Sequence, residues 1–197
     1  MPVSLPSWPL PASTTMRQMV FGNDLTPTMG GPTMRIQRLG SRFSMEVAMP
    51  MMSYDDARTW IAAFLRSDTE TVVMDVPQKG LDVGYPGSPV VDGNGQLGMF
   101  LTLRGLTPGY ALQTGQFFSL IVSGQRFLYS VLEDVTANAQ GKARIHFWPM
   151  MRRQPQDGDV LEIAQPKIEG FAAKGGFEWS IDAAQHTGLE FKIDERE

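Results

Sequence analysis

The cleanest alternation in the chain lies at residues 43–49, where Phe43, Met45, Val47 and Met49 share one face and Ser44, Glu46 and Ala48 the other. A period of two puts successive side chains on opposite sides of a strand, so this segment predicts a half-buried strand ended by Pro50. The period then changes. Ala57, Trp60, Ile61, Phe64 and Leu65 recur at helical spacing, which predicts roughly three turns of helix with these groups on one side. Ser53 and Asp56, three residues apart, resemble a capping box with Asp in place of Glu or Gln, and set the helix start. The valine-rich segment 71–76 predicts the strand that follows. Upstream, segments 16–21 and 34–39 predict two strands joined by a turn-rich loop with Gly22-Asn23-Asp24 and Gly30-Gly31-Pro32. Residues 1–15 hold Pro2, Pro6, Pro9 and Pro11 around Trp8, and predict an extended arm on the surface. The first unit therefore reads β-β-β-α-β.

Residues 77–95 break this pattern with consecutive turn signals, Pro86-Gly87, Ser88-Pro89 and Asp92-Gly93-Asn94-Gly95. Five short strands are expected beyond them, over 99–103, 117–122, 126–132, 143–148 and 160–163. Five strands with no helix predict a small closed or partly closed barrel, of the OB type or the SH3-like type. After Pro166, Phe177, Trp179 and Ile181 alternate with polar residues, as do Leu189, Phe191 and Ile193, and predict a last hairpin. Two strands alone are marginal in water, so the hairpin is expected to extend the sheet of the first unit, making the barrel an insertion. The expected division is 1–80 with 167–197, carrying the arm at 1–15, around an inserted barrel at 81–166.

Composition narrows the function. Across 197 residues, 42% are apolar and 19% charged, an ordinary globular balance with room for two small domains. Gly (20) and Pro (14) are abundant, which suits short strands joined by turns and a mostly β fold. No apolar run approaches the roughly 20 residues that span a bilayer. The first ten residues lack the basic start and apolar stretch of a secretory signal, so synthesis in the cytoplasm is expected. The chain has no cysteine, which removes disulfides, thiol nucleophiles and cysteine-based metal sites. A net charge of −4, from 17 basic and 21 acidic residues, gives no overall attraction to nucleic acid or anionic lipid, so the expected partners are proteins.

Candidate chemistry is sparse. His146 falls in a strand pattern and His186 in a turn pattern beside Thr187-Gly188, and neither has the sequence context of a triad or metal site. Asp92-Gly93-Asn94-Gly95 lacks the further carboxylates of an EF-hand and favours a hairpin turn. Asp55-Asp56 is explained by capping and by the helix dipole. Glu133-Asp134 and Asp157-Gly158-Asp159 fall in turns, where acids are usually solvated. Arg152-Arg153 after Phe147-Trp148 is the nearest approach to a nucleic-acid surface, but residues 80–166 around it are not basic. The thirteen methionines include Met49, Met51, Met52, Met150 and Met151, and fit either an adaptable contact surface or core filling. No catalytic, metal-binding or cofactor-binding residue is assigned, no cofactor is expected, and the chain reads as a non-enzyme.

The segment Ala48-Met49-Pro50-Met51-Met52 leading into Trp60-Ile61-Ala62-Ala63-Phe64-Leu65 resembles the strand, proline and aromatic helix of the ring-forming domain of siphophage distal tail proteins, from phages with long non-contractile tails. Thr114-Gly115-Gln116-Phe117-Phe118-Ser119-Leu120, Phe127-Leu128-Tyr129-Ser130-Val131, Ile145-His146-Phe147-Trp148-Pro149 and Asp157-Gly158-Asp159 are similar to the inserted OB-like barrel of the two-domain type. Gln116 departs from the Gly-Asp-aromatic pattern usual there. Gly188-Leu189-Glu190-Phe191-Lys192-Ile193, before Glu195-Arg196-Glu197, looks like the returning strand. The resemblance implies a mostly β fold: a split-barrel or β-sandwich ring-forming domain with one helix, and an OB-like insertion. It implies a structural virion protein of the tail tip or baseplate, a hexameric ring joining tail tube protein to tail-tip hub protein, with no catalytic residues. Two further readings remain beside it. One is a module that binds host-surface saccharide or side fibres through Tyr110 or Trp148; the other is a wall hydrolase resting on Glu133 or Asp157.

Overall fold

The computed structural model describes residues 1–36, 38–172, 179–181 and 186–197. In chain order its elements are β1 (Val3–Ser4), β2 (Ser13–Met19), β3 (Asn23–Leu25), β4 (Met34–Ile36), β5 (Arg42–Ala48), β6 (Met52–Ser53), α1 (Tyr54–Arg66) and β7 (Val72–Asp75). Then follow β8 (Gly87–Val91), β9 (Phe100–Leu106), β10 (Ala111–Leu112), β11 (Phe117–Val122), β12 (Gln125–Val131), β13 (Val135–Thr136), β14 (Ala143–Trp148) and β15 (Leu161–Glu162). The last three are β16 (Lys167–Ala172), β17 (Trp179–Ile181) and β18 (His186–Glu195). The fold is mostly β, with α1 the one helix among the described residues.

One sheet runs β1-β7-β16-β18-β5-β2, with β6 and β17 also paired to β18. Phe43, Met45, Val47 and Met49 are all buried, as their alternation requires. They pack with Ala57, Trp60, Ile61 and Phe64 of α1 in one apolar cluster. Ser53 caps the helix, its hydroxyl accepting the Asp56 N–H at 3.3 Å. Leu65, expected on the same face, is 65% exposed: it sits one position beyond Phe64, at the edge of the apolar stripe.

The second sheet runs β15-β11-β12-β14-β9-β8, and its outer strands meet through a single bridge, Val90 to Val160. Val91 N–H donates to Asp159 O at 2.9 Å beside it, so the six strands form a nearly closed barrel around Leu103, Leu120, Phe127, Ile145 and Phe147.

Several expectations are corrected. The arm is not wholly superficial: Val3 and Leu5 are buried, β1 pairs parallel with β7, and β2 begins at Ser13, inside the expected arm. Short extended segments accommodate prolines at a sheet edge, which is where β1 lies. The barrel has a sixth strand, β8, within the stretch whose prolines and glycines signalled turns. Pro89 is tolerated because β8 is an edge strand whose register shifts between Gly87 and Val90. β16 carries no alternation signal and adds a strand beyond those expected; it pairs with both β7 and β18. Of the expected last hairpin, Phe177, Glu178 and Asp182 lie outside the described residues.

Candidate functional site

The acids and histidines singled out above are brought together only in part. His146 Nδ1 lies 2.8 Å from Glu133 Oε1, and its ring stacks on Phe100 at 4.4 Å between centroids. The pairing spans a strand and a turn thirteen positions apart, so spacing gave no sign of it. Among the described residues no hydroxyl is hydrogen-bonded to this ring, and a nucleophile within reach is what a triad requires. Asp134, next to Glu133, turns away to accept the Thr114 N–H at 2.6 Å and its hydroxyl at 2.8 Å, which hold its carboxyl below the usual range. His186 opens β18, opposite Ser53, not in a turn.

Asp92-Gly93-Asn94-Gly95 joins β8 to β9, and its groups are consumed locally. Asp92 accepts from Lys142 at 2.7 Å and Arg104 at 3.2 Å, while Asn94 accepts the Asp157 N–H at 2.7 Å. Asp157 binds the Arg104 guanidinium and accepts the Gly93 N–H at 2.7 Å. Arg104 is the larger cause of the depression of the Asp157 carboxyl to about 2. This network ties both edges of the barrel where β8 meets β15. Asp55 pairs with Arg58 at 3.5 Å, and Asp56 belongs to the helix cap. No group of three or more metal-ligating side chains occurs among the described residues.

Phe147-Trp148 and Arg152, the nearest approach to a nucleic-acid surface in the sequence, are engaged within the chain. Phe147 is buried, Trp148 packs edge-on against Phe43 at 4.8 Å, and the Arg152 side chain is only 5% exposed. Tyr110 is half-buried, donating to Val83 O at 2.8 Å and accepting from Gln116 Nε2 at 3.0 Å. Gln116 is itself buried, and its Oε1 accepts the Gln113 N–H at 3.1 Å, so it anchors a turn. Met49, Met52 and Met151 fill core, whereas Met51 is exposed.

The feature left without a local explanation is a ribbon. Beyond the sheet, β2 and β5 continue into the two-stranded pair β3/β4, every residue of which is exposed. Asp24 and Arg35 clasp each other across it with two bonds of 2.8 Å. Apolar side chains crowd it all the same: Val20, Phe21, Leu25, Met29, Met34, Ile36 and Leu39 are exposed. Its base and the barrel residues Met99, Trp148 and Met150 enclose a groove of about 450 Å³. Beside the ribbon, β2 ends the sheet, leaving half its backbone groups facing outward among the described residues. The opposite edge, β1, is two residues long and flanked by Pro2 and Pro6. One edge is thus blunted and the other open. These residues fall in segments that turn signals and strand-like composition read as two strands and a loop, and sequence carries no signal that their side chains stay exposed. No helix among the described residues is long and apolar enough to cross a membrane. No protein-family model matches the chain, and no curated protein matches it in sequence.

Proposed function

We propose that the chain is a structural subunit of a phage tail tip, a distal tail protein of the two-domain type that assembles head to tail into a ring. On this reading residues 1–80 and 167–197 form a split-barrel ring-forming domain, and residues 81–166 an OB-like insertion. The ring, a hexamer, joins tail tube protein to tail-tip hub protein in the virion. The observation that carries it is the β3/β4 ribbon. A two-stranded hairpin is marginal in water by itself, and clustered exposed apolar groups mark contact surfaces. A ribbon covered by the next subunit meets both conditions, and a heterologous contact of this kind closes into a ring when its rotation allows. A non-enzymatic role agrees with candidate acids engaged in turns and the helix cap and with His146 held in a surface stack.

Light scattering over a concentration series tests this. A closed oligomer near six subunits is expected; a monomer at every concentration, and also in isolated virions, overturns it. The saccharide or side-fibre reading has less support: the Tyr110 hydroxyl is bonded within the chain, and Trp148 packs on Phe43 at the wall of the groove.

A further inference from the structure

The barrel and the sheet are joined covalently at one place. The chain leaves the sheet after β7 and re-enters it at β16, and these crossings lie side by side, with Val76 N–H donating to Pro166 O at 2.8 Å. Neighbouring contacts reinforce that corner: Ser119 Oγ bonds Lys167 O at 2.8 Å, and Phe117 N–H bonds Gln78 Oε1 at 2.7 Å. The two crossings lie side by side at that corner, which makes it the axis about which the barrel would turn.

Away from that corner two buried carboxylates of the sheet reach the barrel: Glu169 Oε2 accepts the Arg126 N–H of β12 at 3.1 Å, and Glu195 makes the larger set of bonds. Glu195, near the end of β18, is 2% exposed. Its Oε2 accepts the N–H of Phe43 on β5 at 3.0 Å, and its Oε1 accepts the N–H of Leu128 on β12 at 2.7 Å. The Arg152 guanidinium closes on Oε1 and also donates to Arg196 O at 3.1 Å. One side chain thus bonds a strand of the sheet, a strand of the barrel and the barrel's loop after β14. Phe43 itself leans edge-on against Phe117 and Trp148 of the barrel, and Leu128 joins the sheet's apolar cluster.

This closed joint is not fully satisfied. Arg152 Nε is buried there with no hydrogen-bond partner, and an unsatisfied buried donor is a place where a native structure stores strain.

We infer that the Glu195–Arg152 pair is a clasp: it holds the barrel at one angle to the sheet, and its release lets the barrel swing about the Val76/Pro166 hinge and uncover the apolar joint at Phe43, Phe117, Leu128 and Trp148. The inference stands apart from the ring reading, since it concerns the geometry within one chain.

The absence of cysteine makes the test direct. Spin labels on Thr15→Cys, at the sheet edge, and Gln140→Cys, on the barrel, report the angle by pulsed distance measurement in the full chain. With Glu195 intact, one narrow distance is expected. In Glu195→Gln the distribution gains a second, broad component, while amide exchange protection of Val47 and Ile145, inside the two bodies, stays within about twofold. Should Glu195→Gln alone fail to fold, the double variant Glu195→Gln with Arg152→Met leaves no unpaired charge and is expected to give the same broad component. A narrow distribution in the folded variants overturns the clasp. So does loss of protection throughout both bodies in both variants, because the pair would then support the cores and not the angle.

Discussion

A Cβ placed on Gly170 would lie 2.1 Å from the carbonyl oxygen of Asp194, and 2.7 Å from its carbonyl carbon. Both atoms are backbone of the neighbouring strand, so no side chain can yield. β16 therefore lies against β18 at a distance only glycine allows, and this close approach brings Glu169 and Glu195 under the barrel together. Gly170→Ala is expected to cost about 2 to 3 kcal/mol, the scale of overpacking a closed interior. Urea unfolding measures it as a lower midpoint at unchanged slope. An unmoved midpoint would mean that the strands separate without cost.

Trp60 is the largest fully buried side chain of the helix face, and its indole N–H donates to Trp8 O at 3.1 Å. That bond fastens the proline-rich arm over the sheet. Trp60→Phe removes the donor while keeping most of the apolar volume, with an expected cost of about 1 to 2 kcal/mol. Proteolysis at residues 6–11 should quicken in the same variant. If the arm stays as resistant as before, Trp8 O has another anchor.

How much was legible follows from how strong each local signal is. β5 and α1 were read correctly because their periods of two and 3.6 are clean over seven and thirteen residues and both apolar faces enter one cluster. β8 was hidden because Pro89 and Gly87 signal turns, and only the irregular register of an edge strand admits them. β16 was hidden because its residues are buried on both faces over Ile168-Glu169-Gly170, which erases alternation. Glu195 read as one charge among three at the chain end. Its burial depends on Arg152, 43 positions away, and no local pattern encodes a partner at that distance. Burial pushes its carboxyl up, opposed by Arg152 and the two N–H donors. The ribbon was legible as strands but not as a surface, since exposure is decided by what packs against it.

Acid should weaken the barrel through identified groups. Asp157 is held at about 2 against an ordinary 3.8, first by Arg104 and then by the Gly93 N–H; Asp92 and Asp134 are lowered as well. A carboxyl depressed in the folded state contributes stability that is fully present above its unfolded value and is lost as pH falls through the folded one. For Asp157 the window runs from about pH 4 down to about pH 2. Thermal unfolding followed across that window should show a falling midpoint, and Arg104→Met should make the fall shallower. An equal slope in both proteins would assign the acid sensitivity elsewhere.

The ribbon separates assembly from folding. β3 and β4 make no apolar cluster with the rest of the chain, and the Asp24–Arg35 pair is exposed on both sides, so neither adds much to stability. Replacing residues 23–36 by an Asn-Gly turn keeps the register of β2 on β5, which is fixed by seven pairs from Ser13↔Ala48 to Met19↔Arg42. The expected unfolding free energy therefore changes by no more than about 0.5 kcal/mol. Association, in contrast, should weaken at least tenfold, because the exposed apolar groups at Leu25, Met29, Met34 and Ile36 are gone. On the ring proposal a milder variant, Met34→Lys with Ile36→Lys, should weaken it in the same direction by placing charge where a neighbouring subunit would have to exclude water. Light scattering and denaturant unfolding on the same samples read the two quantities independently. An oligomer that survives the replacement with its affinity intact would overturn the ribbon as the proposed contact.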